Sequence, residues 1–393
     1  MAMTRAALAD ATRDGQATLW FRARLTDWID EHLDELTPDY PDHGTTEQLL
    51  AHQRQVQRLL FDAGWMRWGW PEDVGGLGGT PLFRAVLGEE LTGRGLVHSA
   101  AYSMPEVLAP AVVRFADSAL AAAALPPLLR GDDLWCQGFS EPDAGSDLGS
   151  LRTTARPDGD DWVISGQKLW TSWAHHASHC IVLARTEGPE SGSRGITAFF
   201  VDMGSPGLHV RPLDTMADVD EFCETFFDNV RVPTWSMLGA RGQGWEVAQH
   251  ILACERGPIF WQRGGWLLHH LGEVATLVEP GDHEAERLLG KAFAAVFALR
   301  ARSRLTQHRF AEGNVSGPDS SVDKILIAAA DQAVFDASRL ILAGSVELDD
   351  TSRADRFRKE WLYSRAATIY GGTSEIQRDI IAGRVLDLPR PGR

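Results

Sequence analysis

The chain changes its hydrophobic pattern twice. From Gln16 to about Arg130, apolar residues recur at intervals of three and four, which predicts helices. From Leu134 to about Leu238 they come in short runs separated by turn-forming residues, which predicts strands. These runs are Asp161 to Ser165, Cys180 to Arg185, Ile196 to Val201, Leu208 to Pro212, and Glu224 to Val232. From Trp245 onward, helical spacing returns.

The order of helices, strands and helices predicts an α+β fold. We expect an N-terminal helical domain over residues 1–132, a middle antiparallel β domain over 133–240 and a C-terminal helical bundle over 241–393. The last helix is predicted from about Glu375 to Val385. A loop-like break from Glu312 to Ser321 is rich in Gly, Pro, Ser and Asp.

The net charge of −16 narrows the partners that we expect. An acidic surface repels phosphate backbones, which argues against nucleic acid as a partner. Any phosphorylated ligand must then be held by local hydrogen-bond donors. With 44% hydrophobic residues among 393, the chain can bury a large core, as a globular protein does.

The cysteines and the apolar runs bear on location. The four cysteines show no short Cys-x-x-Cys pairing, which fits a reducing cytoplasm. The first residues, Met1 to Asp10, lack a continuous apolar segment of signal-peptide length. No later stretch approaches eighteen uninterrupted apolar residues, so we expect a cytoplasmic protein without a membrane span.

Three segments carry the candidate chemistry. The first is Trp135-Cys-Gln-Gly-Phe-Ser-Glu-Pro-Asp-Ala-Gly-Ser-Asp147, a Gly/Ser-rich turn after a strand whose N–H groups and hydroxyls suit an anionic or carbonyl-rich ligand. The second is Lys168-Leu-Trp-Thr-Ser172. The third is Tyr370-Gly-Gly-Thr-Ser-Glu-Ile-Gln-Arg378, a turn that opens a helix, whose N-terminus offers free donors to a pyrophosphate.

These segments resemble the signatures of the acyl-CoA dehydrogenase family, in an actinobacterial type. Further similarity runs through Ile196 to Asp202, Glu224 to Pro233 and Gly242 to Ala248. The resemblance implies the same order of helical, β and helical domains, FAD as cofactor and an acyl-CoA thioester as substrate. The implied reaction removes an α-proton, passes the β-hydrogen as hydride to flavin N5 and yields the trans-2-enoyl-CoA.

The resemblance also implies the residues that bind FAD. Phe139 and Ser140 would lie at the flavin, with Ser140 on its pyrimidine edge, and Ser146 would bind the pyrophosphate. Trp170 would pack against the isoalloxazine and Ser172 would approach flavin N5. The remaining predicted cofactor residues are Thr373 and Glu375, at the helix N-terminus.

The predicted catalytic base lies at a different sequence position from the base of the best-known family members. They place a glutamate after the tyrosine of the third segment, where this chain has Gly371, whose N–H could still bind the thioester oxygen. Isovaleryl-CoA and long-chain dehydrogenases instead carry the base in an earlier Glu-Arg pair, which here is Glu255-Arg256. We therefore predict Glu255 as the base, with Arg256 and Gly371 at the substrate.

Two further departures from the family pattern leave alternatives for the subunit assembly and for the reaction. Trp173 stands where relatives usually have a small residue or Asn, which would reshape the space beside the flavin. Gly317 to Lys324 resembles relatives that act on steroid side chains, some of which pair two different subunits. The alternatives are thus a supporting, catalytically incomplete subunit of a heteromeric dehydrogenase, or an oxygen-reactive flavin oxidase or monooxygenase.

The remaining expectations concern partners and metals. A homo-oligomer or a hetero-oligomer with a homologous subunit is expected, and an electron-transferring flavoprotein is expected as electron acceptor by analogy. His175 and His179 are four residues apart, with His176 beside the first. Because the segment lies between β-type runs and lacks a glutamate that would complete a known zinc pattern, no metal is predicted.

Overall fold

The computed structural model describes residues 15–40, 44–98, 102–313 and 317–389. Met1 to Asp10, on which the expected absence of a signal peptide depends, lie outside them, as do residues 314–316 of the predicted loop. The helices are α1 (Gln16–Glu31), α2 (Leu33–Leu36), α3 (Thr46–Asp62), α4 (Leu82–Gly93), α5 (Met104–Phe115), α6 (Ser118–Arg130), α7 (Gly244–Glu255), α8 (Pro258–Ala275), α9 (His283–Ala311), α10 (Ser320–Ile341), α11 (Ser345–Leu348), α12 (Ser352–Ser364) and α13 (Ser374–Arg384). Among the described residues, every helix is too short or too polar to cross a bilayer.

Two compact units divide the chain. Unit 1 contains the described parts of Met1–Glu72, Gly76–Ser103 and Arg256–Arg393. Unit 2 contains Asp73–Gly75 and Met104–Glu255. The helices of the first and last thirds of the chain therefore share unit 1, except that α5, α6 and α7 belong to unit 2.

Unit 1 is a helical bundle with one continuous apolar core. Helix α8 contributes Leu267 and Val274, α9 contributes Leu299, and α10 contributes Val334 and Phe335, all fully buried. Buried core residues recur at intervals of four and three in α9, at Ala292, Val296 and Leu299, and Leu267 and Val274 of α8 are seven apart, so they lie on one face of each helix. Burial of these faces, rather than helix propensity, stabilises the bundle. The predicted helical spacing after Trp245 is confirmed in this core.

A buried carboxylate connects three helices of unit 1. Glu89 on α4 accepts from Arg22 on α1 at 2.6 Å and from Arg300 and Arg304 on α9, each at 2.7 Å. Burial alone would raise the pKa of Glu89, but these guanidinium groups outweigh it and lower the pKa to about 2. The carboxylate stays ionised at neutral pH and holds the helices in register.

Unit 2 contains an eight-stranded sheet. The strands are β1 (Trp135–Gly138), β2 (Thr154–Asp158), β3 (Asp161–Lys168), β4 (His179–Arg185), β5 (Ile196–Asp202), β6 (Leu208–Pro212), β7 (Cys223–Pro233) and β8 (Met237–Leu238). Their order is β6-β7-β3-β2-β4-β5-β8, and β1 pairs with β4. All five predicted runs lie within strands β3 to β7.

The prediction of an antiparallel sheet needs one correction. Strand β1 runs parallel to β4, in register from Trp135 beside His179 to Gly138 beside Val182, and β2 also touches β4 in parallel. The other pairings are antiparallel. The connection from β1 to β4 passes through the β2–β3 hairpin, which is long enough to return the chain for a parallel pairing. Parallel β1 leaves the first signature segment at the end of a buried strand.

Candidate active site

The first signature segment is held by a buried ion pair. Lys168, the last residue of β3, is fully buried, and its Nζ donates to the carbonyl oxygen of Phe139 at 3.1 Å and to Glu141 Oε1 at 2.8 Å. Glu141 in turn accepts from the backbone N–H groups of Arg152 at 2.6 Å and Thr153 at 2.9 Å. The loop at residues 139–141 is thereby fixed to two other parts of unit 2.

Burial affects the two partners of this ion pair differently. Full burial lowers the pKa of Lys168 in spite of Glu141. Burial alone would raise the pKa of Glu141, but Lys168 and the two backbone donors outweigh it, so the pKa is lowered. A buried charge pair of this kind depends on each partner, because removing one leaves the other unpaired in a medium of low polarity. Glu141 and Lys168 both lie in signature segments, but neither was assigned a role from the sequence.

The second signature segment lies against the first. The Leu169 N–H donates to the Ser140 carbonyl oxygen at 2.8 Å, which places Ser140 beside the turn that carries Trp170. The Trp170 side chain is 55% exposed and meets Phe222 edge-on, with ring centroids 5.8 Å apart. A large aromatic surface in this position can pack against a planar ring.

Two tryptophans in the second segment adopt left-handed backbone conformations. Trp170 has φ 60° and Trp173 has φ 62°, a region that disfavours bulky residues. Backbone pairing holds the turn between them, because Thr171 exchanges hydrogen bonds with Cys223 and the Trp173 N–H donates to the Glu221 carbonyl oxygen at 2.7 Å. Each such residue costs about 1–3 kcal/mol and clusters at functional sites.

Ser146 and Ser172 have different surroundings. Ser146 is exposed, in a turn that directly follows the tight turn closed by paired backbone hydrogen bonds between Glu141 and Ala144. Ser172 is partly buried, between the two strained tryptophans. Thr171, the neighbour of Ser172, is fully buried, and within the described residues its hydroxyl oxygen has no hydrogen-bond partner.

The predicted base lies where one helix ends and another begins. Helix α7 ends at Glu255, which is partly buried, and α8 begins at Pro258. Gly257 between them has φ −97° and ψ −120°, which interrupts the helical path. Glu255 belongs to unit 2, whereas Arg256 belongs to unit 1.

The turn at Gly371 is anchored by its carbonyl group. Arg256 Nη2 donates to the Gly371 oxygen at 3.4 Å, and Gln377 Nε2 donates to the same oxygen at 3.3 Å. Gly371 and Gly372 have φ 61° and 93°, conformations that glycine adopts readily. Arg256, predicted at the substrate, therefore contacts the turn that was predicted to bind it.

A buried acid also supports this turn from helix α10. The Tyr370 hydroxyl donates to Asp331 Oδ2 at 3.3 Å, and Arg263 Nε contacts Asp331 Oδ1 at 2.9 Å. Full burial raises the pKa of Asp331 in spite of Arg263. Tyr370 is thus held from the core of unit 1.

The two cofactor residues at helix α13 differ in what they do in the structure. Thr373 is the N-cap, and its hydroxyl accepts from the Ile376 N–H at 3.3 Å. Glu375 is an exposed residue of the first turn, 3.6 Å from Arg378. The structure brings together Phe139, Ser140 and Trp170 in unit 2, and Arg256 and Gly371 in unit 1.

Comparison with known proteins identifies the family. Models of the N-terminal, middle and C-terminal domains of acyl-CoA dehydrogenases match residues 18–132, 136–230 and 242–386. The chain belongs to the acyl-CoA dehydrogenase family. The resemblance inferred from the signature segments is confirmed, as is the order of helical, β and helical domains.

Relatives cover nearly the whole of this acyl-CoA dehydrogenase. It is 33% identical to acyl-CoA dehydrogenase IpdE1 of Mycobacterium tuberculosis, over 95% of this chain and 98% of the relative. It is 29% identical to the human mitochondrial short-chain specific acyl-CoA dehydrogenase, over 80% of this chain and 78% of the relative. These relatives place the protein among oxidoreductases that dehydrogenate acyl-CoA.

Solved structures show the same fold. A variant of the Tcur3481-Tcur3483 steroid ACAD superposes with a TM-score of 0.83 at 25% identity, over 99% of this chain and 100% of that one. The ChsE4-ChsE5 complex of Mycobacterium tuberculosis gives a TM-score of 0.80 at 25% identity, over 94% and 97%. The name of the first structure joins two proteins, and the second structure is a complex.

FAD is the cofactor of this acyl-CoA dehydrogenase, as its family indicates. The residues of unit 2 fit that group. The Trp170 ring is exposed, and its neighbour Leu169 is hydrogen-bonded to Ser140, so this turn suits a planar flavin. The exposed turn at Ser146 suits a phosphate. The unpartnered Thr171 hydroxyl, within the described part of the chain, adds a buried polar group at the same turn.

One signal in the sequence could have revealed the Lys168–Glu141 pair. Trp162, Ile164 and Lys168 occupy alternate positions of β3 and all face the interior. A lysine on the buried face of a strand requires an acidic partner. The partner, Glu141, lies in the first signature segment, 27 residues earlier.

Proposed function

We propose that this chain catalyses the α,β-dehydrogenation of an acyl-CoA thioester to the trans-2-enoyl-CoA, with Glu255 as the base. When bound, FAD supplies the acceptor for the hydride that leaves the β-carbon. Glu255 takes the α-proton on a carboxylate oxygen. Partial burial next to an apolar acyl chain favours the basicity that this step requires.

The bond between Arg256 and Gly371 carries the proposal. Gly371 has no side chain that could act as a base, and its carbonyl oxygen is already engaged by Arg256 and Gln377. The carboxylate that directly precedes Arg256 in the chain is Glu255. The Glu-Arg pair is thus tied to the signature turn through its arginine, which supports its glutamate as the replacement base.

The Gly371 peptide has a second proposed role. Because its carbonyl oxygen is held by two side-chain donors, the orientation of the turn is constrained on one side. We assign the Gly371 N–H to the thioester oxygen, which gains negative charge as the α-carbon is deprotonated. Arg256 then acts by positioning this turn in addition to any direct contact with the substrate.

The cofactor roles follow from the same geometry. Phe139 and Ser140 lie on the loop that Lys168 holds, and the turn that carries Trp170 is hydrogen-bonded to this loop through Leu169. We assign this set to the flavin ring, with Ser172 near N5. Ser146 serves the pyrophosphate, and Thr373 and Glu375 mark a helix N-terminus suited to the same group.

A second candidate function concerns assembly. One similar structure is the ChsE4-ChsE5 complex, and another, the Tcur3481-Tcur3483 steroid ACAD, is also named for two proteins. Together with Gly371 in place of glutamate, this favours testing the chain as one subunit of a hetero-oligomer. An electron-transferring flavoprotein is the proposed physiological acceptor, and an oxygen-reactive flavin enzyme is the alternative.

The test is anaerobic bleaching of the flavin absorbance with short, branched, long and steroid-derived acyl-CoAs. We expect the wild type to bleach with at least one thioester. Glu255→Gln should bind that thioester but bleach about 100- to 10,000-fold more slowly, the range for loss of a general base. Glu246→Gln, in the same helix and exposed, is the matched control and should behave as wild type.

Three outcomes would decide against the proposal or redirect it. Equal bleaching rates in Glu255→Gln and wild type would remove Glu255 as the base. Bleaching only after addition of a copurifying homologous chain would assign the supporting-subunit role. Rapid reoxidation of the reduced flavin in air would favour an oxidase.

A further inference from the structure

A cluster of metal-ligand side chains lies in unit 2, in the segment that follows the second signature. One ring nitrogen of His175, one of His176 and a carboxylate oxygen of Asp220 all lie within 4.8 Å of one another. We propose that His175, His176 and Asp220 bind a divalent transition-metal ion such as zinc. This site goes beyond the proposed dehydrogenation and does not depend on it.

The spacing of two of the ligands already matches a metal site. His175 Nε2 lies 3.2 Å from Asp220 Oδ2. A zinc ion bound at about 2.1 Å to each of two ligands in tetrahedral geometry holds them roughly 3.4 Å apart. Only the His176 nitrogen then needs to approach, which rotation of an imidazole about its side-chain torsions permits.

The contact between His175 and Asp220 is not a well-formed hydrogen bond. Within the described residues, the buried Nε2 of His175 has no hydrogen-bond partner that meets the angular requirement, although the carboxylate oxygen is close. The other ring nitrogen, Nδ1, lies 3.0 Å from Cys223 Sγ. When Nδ1–H donates to that sulfur, Nε2 is unprotonated, and its lone pair is available to a cation that the nearby carboxylate also binds.

Backbone hydrogen bonds hold the two ligand-bearing segments together. The His176 N–H donates to the Trp173 carbonyl oxygen at 2.9 Å, and the Trp173 N–H donates to the Glu221 carbonyl oxygen at 2.7 Å. Cys223 and Thr171 exchange two further hydrogen bonds. Because the ligands sit on paired segments, little ordering is left to accomplish when an ion binds.

The ligand types select a transition metal over calcium or magnesium. Imidazole nitrogens suit zinc, copper, iron and nickel, whereas calcium and magnesium prefer oxygen ligands alone. Two imidazoles and one carboxylate leave a position for solvent on the ion. Asp218 and Glu221 flank Asp220 in the chain and add negative charge that attracts a cation.

His179 provides an internal control. It is the histidine that spacing alone would pair with His175, but its ring stacks on Phe200 with centroids 4.6 Å apart and planes 8° apart. Its Nδ1 lies 3.2 Å from the Ser178 hydroxyl. It is not part of the cluster, so its removal should leave zinc binding unchanged.

The experiment is equilibrium dialysis of chelator-treated holoenzyme, with FAD retained, against zinc chloride, followed by metal and protein quantification. We expect one zinc per wild-type chain. His176→Ala and Asp220→Asn should each weaken zinc binding at least about tenfold, whereas His179→Ala should bind as wild type. X-ray absorption at the zinc edge should show two imidazole ligands.

Asp220→Asn serves as the control for misfolding, because the Asp220 side chain is 46% exposed and asparagine has nearly the same shape. Retained flavin absorbance in each variant shows that unit 2 is intact. The proposal is overturned if the wild type binds no zinc, or if Asp220→Asn and His176→Ala bind it as tightly as His179→Ala. Zinc binding is measured without turnover, so failure of the proposed dehydrogenation would not affect this result.

Discussion

Two buried ion pairs support signature segments in this protein, and they do so differently. In unit 2, Lys168 donates directly to the backbone of the loop at residues 139–141 and to Glu141 within it. In unit 1, Arg263 binds Asp331, and Asp331 reaches the Gly371 turn through the Tyr370 hydroxyl. The first pair therefore determines a backbone path, whereas the second orients a single side chain.

The pKa values of the carboxylates reflect the number of donors around each. Glu141 is buried, yet a lysine and two backbone N–H groups lower its pKa. Burial raises the pKa of Asp331, and it raises that of Asp323, in the same helix α10, to about 6. Asp323 has Thr306 Oγ1 at 2.9 Å, but Arg302 only at 3.4 Å. Burial thus raises the pKa of a carboxyl group unless enough hydrogen-bond donors or cations surround its ionised form.

The largest expected effect comes from breaking the pair in unit 2. Lys168→Met leaves Glu141 buried without its cation, which should lower the free energy of unfolding by about 3–5 kcal/mol and reduce FAD retention. Lys291→Met, at an exposed position of α9, is the control. Urea denaturation and the flavin-to-protein absorbance ratio measure both effects. A loss of stability no larger than that of the control would show that the pair does not hold the loop.

The second prediction uses pH to distinguish a carboxyl group whose pKa is raised in the fold from one whose pKa is lowered. Because the folded-state pKa of Asp323, about 6, exceeds its ordinary value of 3.8, its protonation stabilises the fold below about pH 4. That contribution, about 3 kcal/mol, is lost as the pH rises through 6. Glu141 has the opposite sign, because its lowered pKa stabilises the fold above its ordinary value of 4.5.

Asp323→Asn tests this sign. Relative to wild type, the variant should gain about 3 kcal/mol of unfolding free energy between about pH 4 and about pH 7, measured by denaturant titration at each pH. Asp319→Asn, which also faces Arg302 but is partly exposed, should show no such change. A pH-independent difference between Asp323→Asn and wild type would contradict a raised pKa.

The third prediction concerns the glycine turn. A Cβ at Gly372 would lie 2.3 Å from Gln377 Nε2, and φ is 93° there. Gly372→Ala should lower the free energy of unfolding by about 2 kcal/mol, since Gln377 must leave the Gly371 oxygen and the backbone is strained. Gly344→Ala shares the positive φ without the clash and should lose about 1 kcal/mol. Equal losses would mean that the Gln377 contact is dispensable.

The smallest expected effect comes from the weaker link in unit 1. Tyr370→Phe removes the hydroxyl bond to Asp331 and should lower the free energy of unfolding by about 1 kcal/mol. Tyr102→Phe, whose hydroxyl donates to the weak acceptor Met66 Sδ at 3.3 Å, is the comparison and should lose less. A loss as large as that of Lys168→Met would show that the two ion pairs are equivalent after all.

Much of the fold could be predicted from the sequence because its patterns are local. Alternation and β-branched residues identified β3 to β7, and the spacing of three and four identified the helices. Strands β1 and β8 are too short to show a period, and Arg156, Pro157 and Asp158 interrupt the apolar pattern of β2. The parallel pairing of β1 could not be predicted, because it depends on partners more than forty residues away.

Of the candidate site, the sequence predicted only the residues that lie in family motifs. The signature segments identified Ser140, Trp170 and Gly371, and their family is confirmed. Contacts between distant segments were not visible, such as Lys168 with Glu141, or His175 with Asp220. The roles of Glu255 and of the individual cofactor residues, and the domain boundaries, stay predictions.

The division of the chain into units affects the order in which its parts can fold during synthesis. Helix α4 packs against α8 in unit 1, where the Thr92 hydroxyl donates to the Gln262 carbonyl oxygen at 2.9 Å. These two residues are 170 positions apart, so the N-terminal helices leave the ribosome long before their packing partners exist. Most of unit 2 is continuous in the chain and can complete its sheet first. The first helices made are thus among the last to be buried, and a chain that stops after Glu255 would expose their apolar faces to proteolysis and aggregation.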